Sequence, residues 1–203
     1  IRNIGNLISQ VFYEGKIATE VDDKNRMHPI KKFAGKSIIW VDTSMMDKKD
    51  ESRLKGGSYC NYAENNLIKK LLENFKREGV LSQLDIGIIT GYRGQKDLIR
   101  KSVNNSGYDR IAKRIDINTL DAFQGRENDV IIYSTVRTKN SIGFQKEKER
   151  VNVAFSRAKN LLIICGDMDF FYRFDDPDNK FIEIIDYICE HEDECLIIPG
   201  GEI

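Results

Sequence analysis

The stretch Thr119-Leu120-Asp121-Ala122-Phe123-Gln124-Gly125-Arg126-Glu127 lies between two apolar runs, Ile115–Leu120 and Val130–Val136. Both runs are rich in β-branched residues, and most apolar runs of the chain are continuous rather than alternating, which is typical of strands in a parallel sheet that is covered on both faces. The stretch itself gathers an amide, a guanidinium and a carboxylate around one glycine. Taken alone it is also an ordinary charged turn, because glycine and polar residues are common turn formers.

Three more apolar runs predict the rest of the sheet: Ser37–Asp42, Ile86–Thr90 and Leu161–Cys165. The helical patterns between and after the runs are Asn61–Lys76, Gly94–Val103 and Lys180–Cys189. The first of these opens with Asn61 and Glu64, a variant of the capping box. Alternating strands and helices predict an α/β fold with a mostly parallel sheet between helices. The polar stretch Ser44–Ser58 is predicted to be a surface loop.

A second motif, Arg150-Val151-Asn152-Val153-Ala154-Phe155-Ser156-Arg157-Ala158-Lys159, precedes the last apolar run. Its local structure is ambiguous, since Val151, Val153 and Phe155 alternate as in a strand, while other positions fit a helical face. In a helix, Arg150 and Arg157 would lie about two turns apart on one side and could reach one polyanion. Spacing alone favours the plainer alternative of a basic surface helix.

The formal net charge is zero, which argues against a protein that simply coats nucleic acid. The charge is unevenly distributed, however. Arg93–Arg114 and Arg137–Lys159 each contain seven Lys or Arg against two Asp or Glu, whereas Asp167–Ile203 contains two against twelve. These basic stretches are either solvated helix faces or two surfaces that meet phosphates.

The chain of 203 residues is predicted to be a single domain, 1–203, with an acidic C-terminal segment, 168–203. It begins without Met, and we expect it to be a fragment of a longer protein. No apolar run is long enough to span a bilayer, so we expect no membrane partner. Four scattered cysteines are typical of a reduced, cytoplasmic protein. No GxxxxGK[ST] pattern is present, so the chain lacks a P-loop.

Together the two motifs resemble motifs V and VI of superfamily 1 helicases in the Upf1-like and Dna2/NAM7-like branch. In that branch motif V has the form T-x-D-A-F-Q-G-x-E and motif VI the form R-x-N-V-A-x-[ST]-R-A. Gly91–Gln95 is similar to the branch's P-Y-x-x-Q segment, with Gly91 in place of Pro. Ile4–Gly15 resembles the helix that follows its Q-Y-R-M segment, which we expect to lie before Ile1. Arg26–Pro29 spells part of that segment in the wrong place, and we interpret it as coincidence.

The resemblance implies a RecA-like fold without its own P-loop, acting as the second motor domain of an ATP-dependent DNA or RNA helicase. ATP and Mg²⁺ would be bound mainly by the N-terminal RecA-like domain of the same polypeptide, which carries the P-loop. Single-stranded DNA or RNA would be the other partner. Two alternatives stay open: a nucleic-acid-binding module of helicase fold without turnover, and a scaffold that holds proteins through its acidic segment.

The resemblance also assigns roles to single residues. Arg157 would be the arginine finger and Arg150 a supporting cation. The candidates for binding the nucleotide are Gln124, Gly125, Arg126 and Glu127. The candidates for contacting the single strand are Thr119, Tyr92, Arg93 and Arg137. No metal site is predicted, because Cys189, His191 and Cys195 lack a fourth ligand and compact spacing.

Overall fold

Six strands form one parallel sheet in the computed structural model, which describes residues 2–17, 27–123 and 127–203. Their bounds are β1 Ile38–Asp42, β4 Asp85–Thr90, β5 Arg114–Thr119, β6 Asn128–Ser134, β7 Ala158–Gly166 and β8 Cys195–Pro199. The spatial order is β5-β4-β6-β7-β1-β8, and every neighbouring pair is parallel. The predicted α/β class is therefore confirmed.

The five apolar runs all form strands, with ends that differ from the prediction by a few residues. The edge strand β8 was not predicted, because Cys195-Leu196-Ile197-Ile198 is short and follows an acidic stretch. The prediction that Ser44–Ser58 is entirely loop was wrong in part. Ser52–Arg53 (β2) pairs antiparallel with Tyr59–Cys60 (β3) in a small hairpin.

Helices cover both faces of the sheet and bury its continuous apolar strands. One face carries α1 Arg2–Tyr13, α5 Lys148–Phe155, α6 Met168–Arg173 and α7 Phe181–Glu190. The other face carries α2 Tyr62–Arg77, α3 Arg93–Ser106 and α4 Tyr108–Ile111. The central strands consequently have apolar side chains buried on both faces, as the continuous runs indicate.

The ambiguous second motif is a helix followed directly by a strand. Val151, Ala154 and Phe155 are buried at helical spacing, and the Phe155 ring meets Tyr133 of β6 edge-to-face at 5.3 Å. Val153, which a strand would place beside Val151, is 40% exposed. The helix ends at Phe155, so Arg157 lies in the turn between α5 and β7 rather than on the helix.

The strand ends that matter for the site lie side by side at the carboxyl edge of the sheet. Thr90 at the end of β4 pairs with Thr119 at the end of β5 and with Ser134 at the end of β6. Neighbouring strands are about 4.8 Å apart, so the segments that leave these three strands share one small surface. No helix in the described part of the chain is long and apolar enough to cross a membrane.

Candidate functional site

The two sequence motifs are neighbours in the structure. An ion pair of 3.2 Å joins Arg150 on α5 to Asp121, which lies in a 3-10 helix after β5. The backbone N–H of Asn128, at the start of β6, donates to the carbonyl of Arg157 at 2.9 Å. Asn128, which directly follows the first motif, pairs with Ala158 of the second motif across β6 and β7. Sheet pairing therefore fixes the two motifs against each other.

The two arginines of the second motif differ in their partners. Arg150 forms ion pairs with Asp121 at 3.2 Å and with Glu147 at 2.7 Å. Arg157 is half-buried in the turn and has no carboxylate partner among the residues that the structure describes. Its Nε atom is buried and has no hydrogen-bond acceptor in the part of the chain that the structure describes. A guanidinium held by its backbone but not paired through its side chain is suited to meet an incoming anion.

The predicted nucleotide contacts of the first motif are only partly placed. Gln124, Gly125 and Arg126 lie outside the described residues. Glu127 is exposed immediately before β6. Asn128 beside it is fully buried, and neither polar atom of its side-chain amide has a hydrogen-bond partner among the described residues. Unpaired buried polar groups thus occur at Arg157 and next to the first motif, where the two segments meet.

The four predicted single-strand contacts divide into two exposed and two buried residues. Thr119 is half-exposed at the end of β5, and Arg93 is exposed at the first position of α3. Tyr92 is only 5% exposed, and its ring packs against Tyr59 and Phe144. The predicted stacking of Tyr92 on a base stays a prediction, and this packing argues against it.

Arg137 is also inside the protein, where its guanidinium is committed to protein groups. It forms an ion pair with Glu51 at 3.3 Å and lies 4.3 Å from the centre of the Tyr59 ring. Glu51 in turn accepts from the Thr138 backbone N–H at 2.6 Å. Contact between Arg137 and nucleic acid, as the sequence predicted, would require this buried pair to open.

A buried polar network that the sequence did not predict holds the segment after β6. It consists of Glu64, Asn61, Gln95, Ser134 and Thr135. The Glu64 carboxylate accepts hydrogen bonds from the hydroxyls of Ser134 and Thr135 and from the Val136 backbone N–H, the last at 2.9 Å. Asn61 caps α2 by accepting from the Glu64 backbone N–H. The capping box is therefore only half formed, since the Glu64 side chain turns inward instead of back to Asn61.

Gln95, the last residue of the Gly91–Gln95 segment, completes this network. Its side-chain oxygen accepts from the Asn61 backbone N–H at 2.8 Å, and its side-chain nitrogen donates to the Ser134 hydroxyl at 2.9 Å. Burial raises the pKa of Glu64 to about 8, against the lowering effect of the hydrogen bonds from Ser134, Val136 and Thr135. One sequence signal could have found Glu64: it precedes Leu67 and Leu71 on the same apolar helix face.

The cysteines and histidines form no metal site in the part of the chain that the structure describes. Cys60, Cys165 and Cys195 are buried free thiols, and Cys189 is an exposed one. The His191 ring stacks on Tyr187 with ring centres 4.0 Å apart, and its Nδ1 atom pairs with the Tyr187 carbonyl. These contacts with Tyr187 explain the position of the His191 ring by local packing.

Comparison with known proteins agrees with the resemblance of the motifs. The family described as "AAA domain" matches residues 1–169. DNA polymerase alpha-associated DNA helicase A of Saccharomyces cerevisiae is 34% identical over 75% of this chain and 22% of that protein. A regulator of nonsense transcripts 1 homolog of Neurospora crassa is 34% identical over 78% of this chain and 15% of that protein. ATP-dependent helicase NAM7 of Saccharomyces cerevisiae is 32% identical over 78% of this chain and 17% of that protein.

A solved structure shares the fold across nearly the whole chain. The C-terminal domain of a possible DNA helicase from Lactobacillus plantarum WCFS1 superimposes with a TM-score of 0.51 and 14% identity, covering 96% of this chain and 95% of that one. The sequence relatives are much longer, since the chain spans only 15 to 22% of the three named above. The family match, the relatives and the six-stranded parallel sheet together show that the chain belongs to the Upf1-like superfamily 1 helicases, as their C-terminal RecA-like domain.

Proposed function

We propose that this chain is the second motor domain of an ATP-dependent superfamily 1 helicase, with Arg157 as its arginine finger. The observation that carries the proposal is the contrast between the two arginines of the second motif. Arg150 is paired twice, whereas the Arg157 guanidinium has no carboxylate partner among the described residues. The single strand would lie along the carboxyl edge, where Thr119 and Arg93 are accessible.

The residues present fit the phosphate end of a nucleotide and do not fit a complete site. ATP supplies the γ-phosphoryl group that is transferred to water. Arg157 would stabilise the charge that develops on that group, because its planar guanidinium is always charged and presents several donors. Arg150, with Asp121 beside it, would support Arg157, and Glu127 would meet the ribose. Mg²⁺ and most of the ATP would be held by the N-terminal RecA-like domain.

Replacing Arg157 in the parent protein that joins this chain to its P-loop domain tests the assignment. Arg157→Ala should lower kcat by about 10³-fold or more while changing the nucleotide Kd much less, because the finger acts mainly in the transition state. In Arg157→Lys only part of the lost kcat should return, because lysine keeps the charge and loses the planar fork of the guanidinium. The measurements are kcat, nucleotide Kd and Tm for each protein.

A matched control is available in Arg173→Ala, which removes an exposed arginine paired with Asp169 on α6. This control should leave all three quantities nearly unchanged. An Arg157→Ala protein with ordinary turnover, or one whose Tm falls by several degrees, would contradict the finger assignment. A parent protein that binds single strands but shows no turnover with Arg157 intact would favour the binding-module alternative.

The isolated chain should release no phosphate from ATP, because it lacks a P-loop. It should bind single strands weakly, without base preference and with a strong dependence on salt, since phosphate contacts release counterions. Phosphate-release assays and titrations of a single-stranded oligonucleotide at two salt concentrations measure both. Steady turnover by the isolated chain, or tight binding that ignores salt, is the result that would count against this expectation.

A further inference from the structure

Phe144 is an exposed aromatic ring that lies over the end of β4. It is 42% exposed and belongs to a 3-10 helix, Gly143–Lys146, in the connection between β6 and α5. A Cβ atom at position 91 would lie 3.1 Å from the Phe144 Cβ, so the glycine that replaces the branch's usual proline leaves room for this ring. Gly91 directly follows Thr90, which pairs with Thr119. The ring therefore lies over the segment that leaves β4, the strand next to the predicted single-strand contact Thr119.

The backbone on both sides of the ring is firmly held. Ile142 is fully buried, and the Gln145 side chain donates to the Thr135 carbonyl. Gly143 has a φ of +62°, and a Cβ atom there would lie 1.9 Å from the Tyr92 hydroxyl oxygen, so the position admits only glycine. An exposed phenylalanine in such a segment is presented to solvent in a fixed place, which lowers the entropy lost when something binds to it.

Tyr92 supports the ring from beneath. The two ring centres are 5.1 Å apart and the ring planes are inclined by 57°. Tyr59 packs edge-to-face on Tyr92 at 5.7 Å, and Arg137 lies over Tyr59. Tyr92 and Tyr59 thus form the floor of an aromatic layer, and Phe144 is its accessible top.

Cations flank this layer at the carboxyl edge. Arg93 follows Tyr92 directly and is exposed, and the Lys139 side chain, which pairs with Asp50 at 3.2 Å, is 48% exposed. The layer joins the two basic stretches of the sequence, because Tyr92 adjoins Arg93–Arg114 and Phe144 belongs to Arg137–Lys159. An aromatic face beside exposed cations is the usual arrangement for sequence-independent binding of single strands, in which bases stack and phosphates meet the cations.

We propose that Phe144, and not Tyr92, is the platform on which a base of the single strand stacks, with Arg93 meeting a neighbouring phosphate. The inference rests on the proposed function, since it names a contact residue of the same nucleic-acid surface. Its contact is apolar and independent of base identity, because every base has a π-face. Phe144 therefore contributes affinity without contributing to the salt dependence of binding.

The test is a titration of the 203-residue chain with a fluorescein-labelled oligothymidylate of about 12 nucleotides, at several salt concentrations. Phe144→Ala should weaken binding by roughly 5- to 100-fold, with an unchanged slope of log Kd against log salt concentration. Arg93→Ala should reduce that slope by about 0.7, the value for one contact to a single strand. Phe144→Leu keeps apolar packing against Gly91 and should bind as weakly as Phe144→Ala, so a folding defect is separated from loss of the ring.

Tyr172→Ala is the matched control, because it removes an aromatic ring that is 51% exposed in the acidic C-terminal segment. It should bind like the unaltered chain. In Phe144→Trp the new indole emission should be quenched by the oligonucleotide, whereas Trp40 is fully buried and should not respond. If Phe144→Ala and Phe144→Leu both bind the oligonucleotide as tightly as the unaltered chain, the inference about Phe144 is overturned and the proposed function is not. If the unaltered chain does not bind the oligonucleotide at low salt, both the inference about Phe144 and the proposed nucleic-acid surface are overturned.

Discussion

The buried polar network and the turn that holds Arg157 differ in whether their buried polar atoms have hydrogen-bond partners. Glu64, Asn61 and Gln95 are almost wholly buried, and each has its donors and acceptors paired within the protein. Arg157 in the turn and Asn128 at the start of β6 have buried polar atoms without partners among the described residues. Since an unpaired buried polar group costs about 1–3 kcal/mol, the second region holds a cost that a bound anion or another domain would remove. We propose that the network maintains the frame, whereas the turn meets a partner.

The network should be the region most sensitive to substitution. Glu64→Ala leaves the hydroxyls of Ser134 and Thr135 and the Val136 N–H without their acceptor in a buried site. We expect the free energy of unfolding to fall by about 3–5 kcal/mol, from lost hydrogen bonds and the cavity together. Urea denaturation measures this change. Glu127→Ala, at an exposed glutamate beside the first motif, should shift it by less than about 0.5 kcal/mol; equal effects at both sites would remove the contrast.

The variants Arg137→Ala and Arg157→Ala compare the loss of stability when an arginine is removed from each kind of region. Removal of Arg137 leaves Glu51 without its cation in a buried site, and breaking such a pair costs about 3 kcal/mol. Removal of Arg157 breaks no ion pair seen in the described residues, so its cost should be below about 0.5 kcal/mol. Thermal unfolding of the two variants compares them directly. A larger loss of stability for Arg157→Ala than for Arg137→Ala would show that Arg157 belongs to the frame.

Much of the fold followed from local sequence, while the network did not. The β-branched runs predicted five strands because a strand buried on both faces has apolar residues at successive positions, as β1, β6 and β7 do. The strand β8 lies at an edge of the sheet, and only Cys195 and Ile198 of it are buried, so its signal in Cys195–Pro199 was weaker. Alternating valines made α5 ambiguous until the exposure of Val153 showed which face is buried.

The sequence named candidate residues where the motif letters themselves carry the chemistry, but it did not show which of them long-range packing buries. The proximity of Arg150 and Asp121 agrees with the resemblance of the two motifs to one family. Tyr92 and Arg137, however, were candidate contacts for the single strand, although a tyrosine at a strand end is more often a packing residue. Whether a side chain faces solvent depends on contacts distant in sequence, such as that between Arg137 and Glu51. The same limit hid Glu64, whose partners on β6 lie far along the chain.

The smallest expected effect concerns the protonation of Glu64. Burial is the main cause that raises the pKa of Glu64 to about 8, and Asp167 raises it further, whereas the unfolded chain has an ordinary glutamate. The folded protein therefore retains a proton that the unfolded chain loses, and the stabilisation is fully present below the unfolded pKa and is lost as pH rises towards 8. Between about pH 6 and pH 7, stability should fall by about 1.4 kcal/mol for this one proton. Glu64→Gln imitates the protonated acid and should lack this component. Urea denaturation of both proteins at the two pH values measures the difference, and parallel pH dependence in the two would show that Glu64 is ionised in the folded protein.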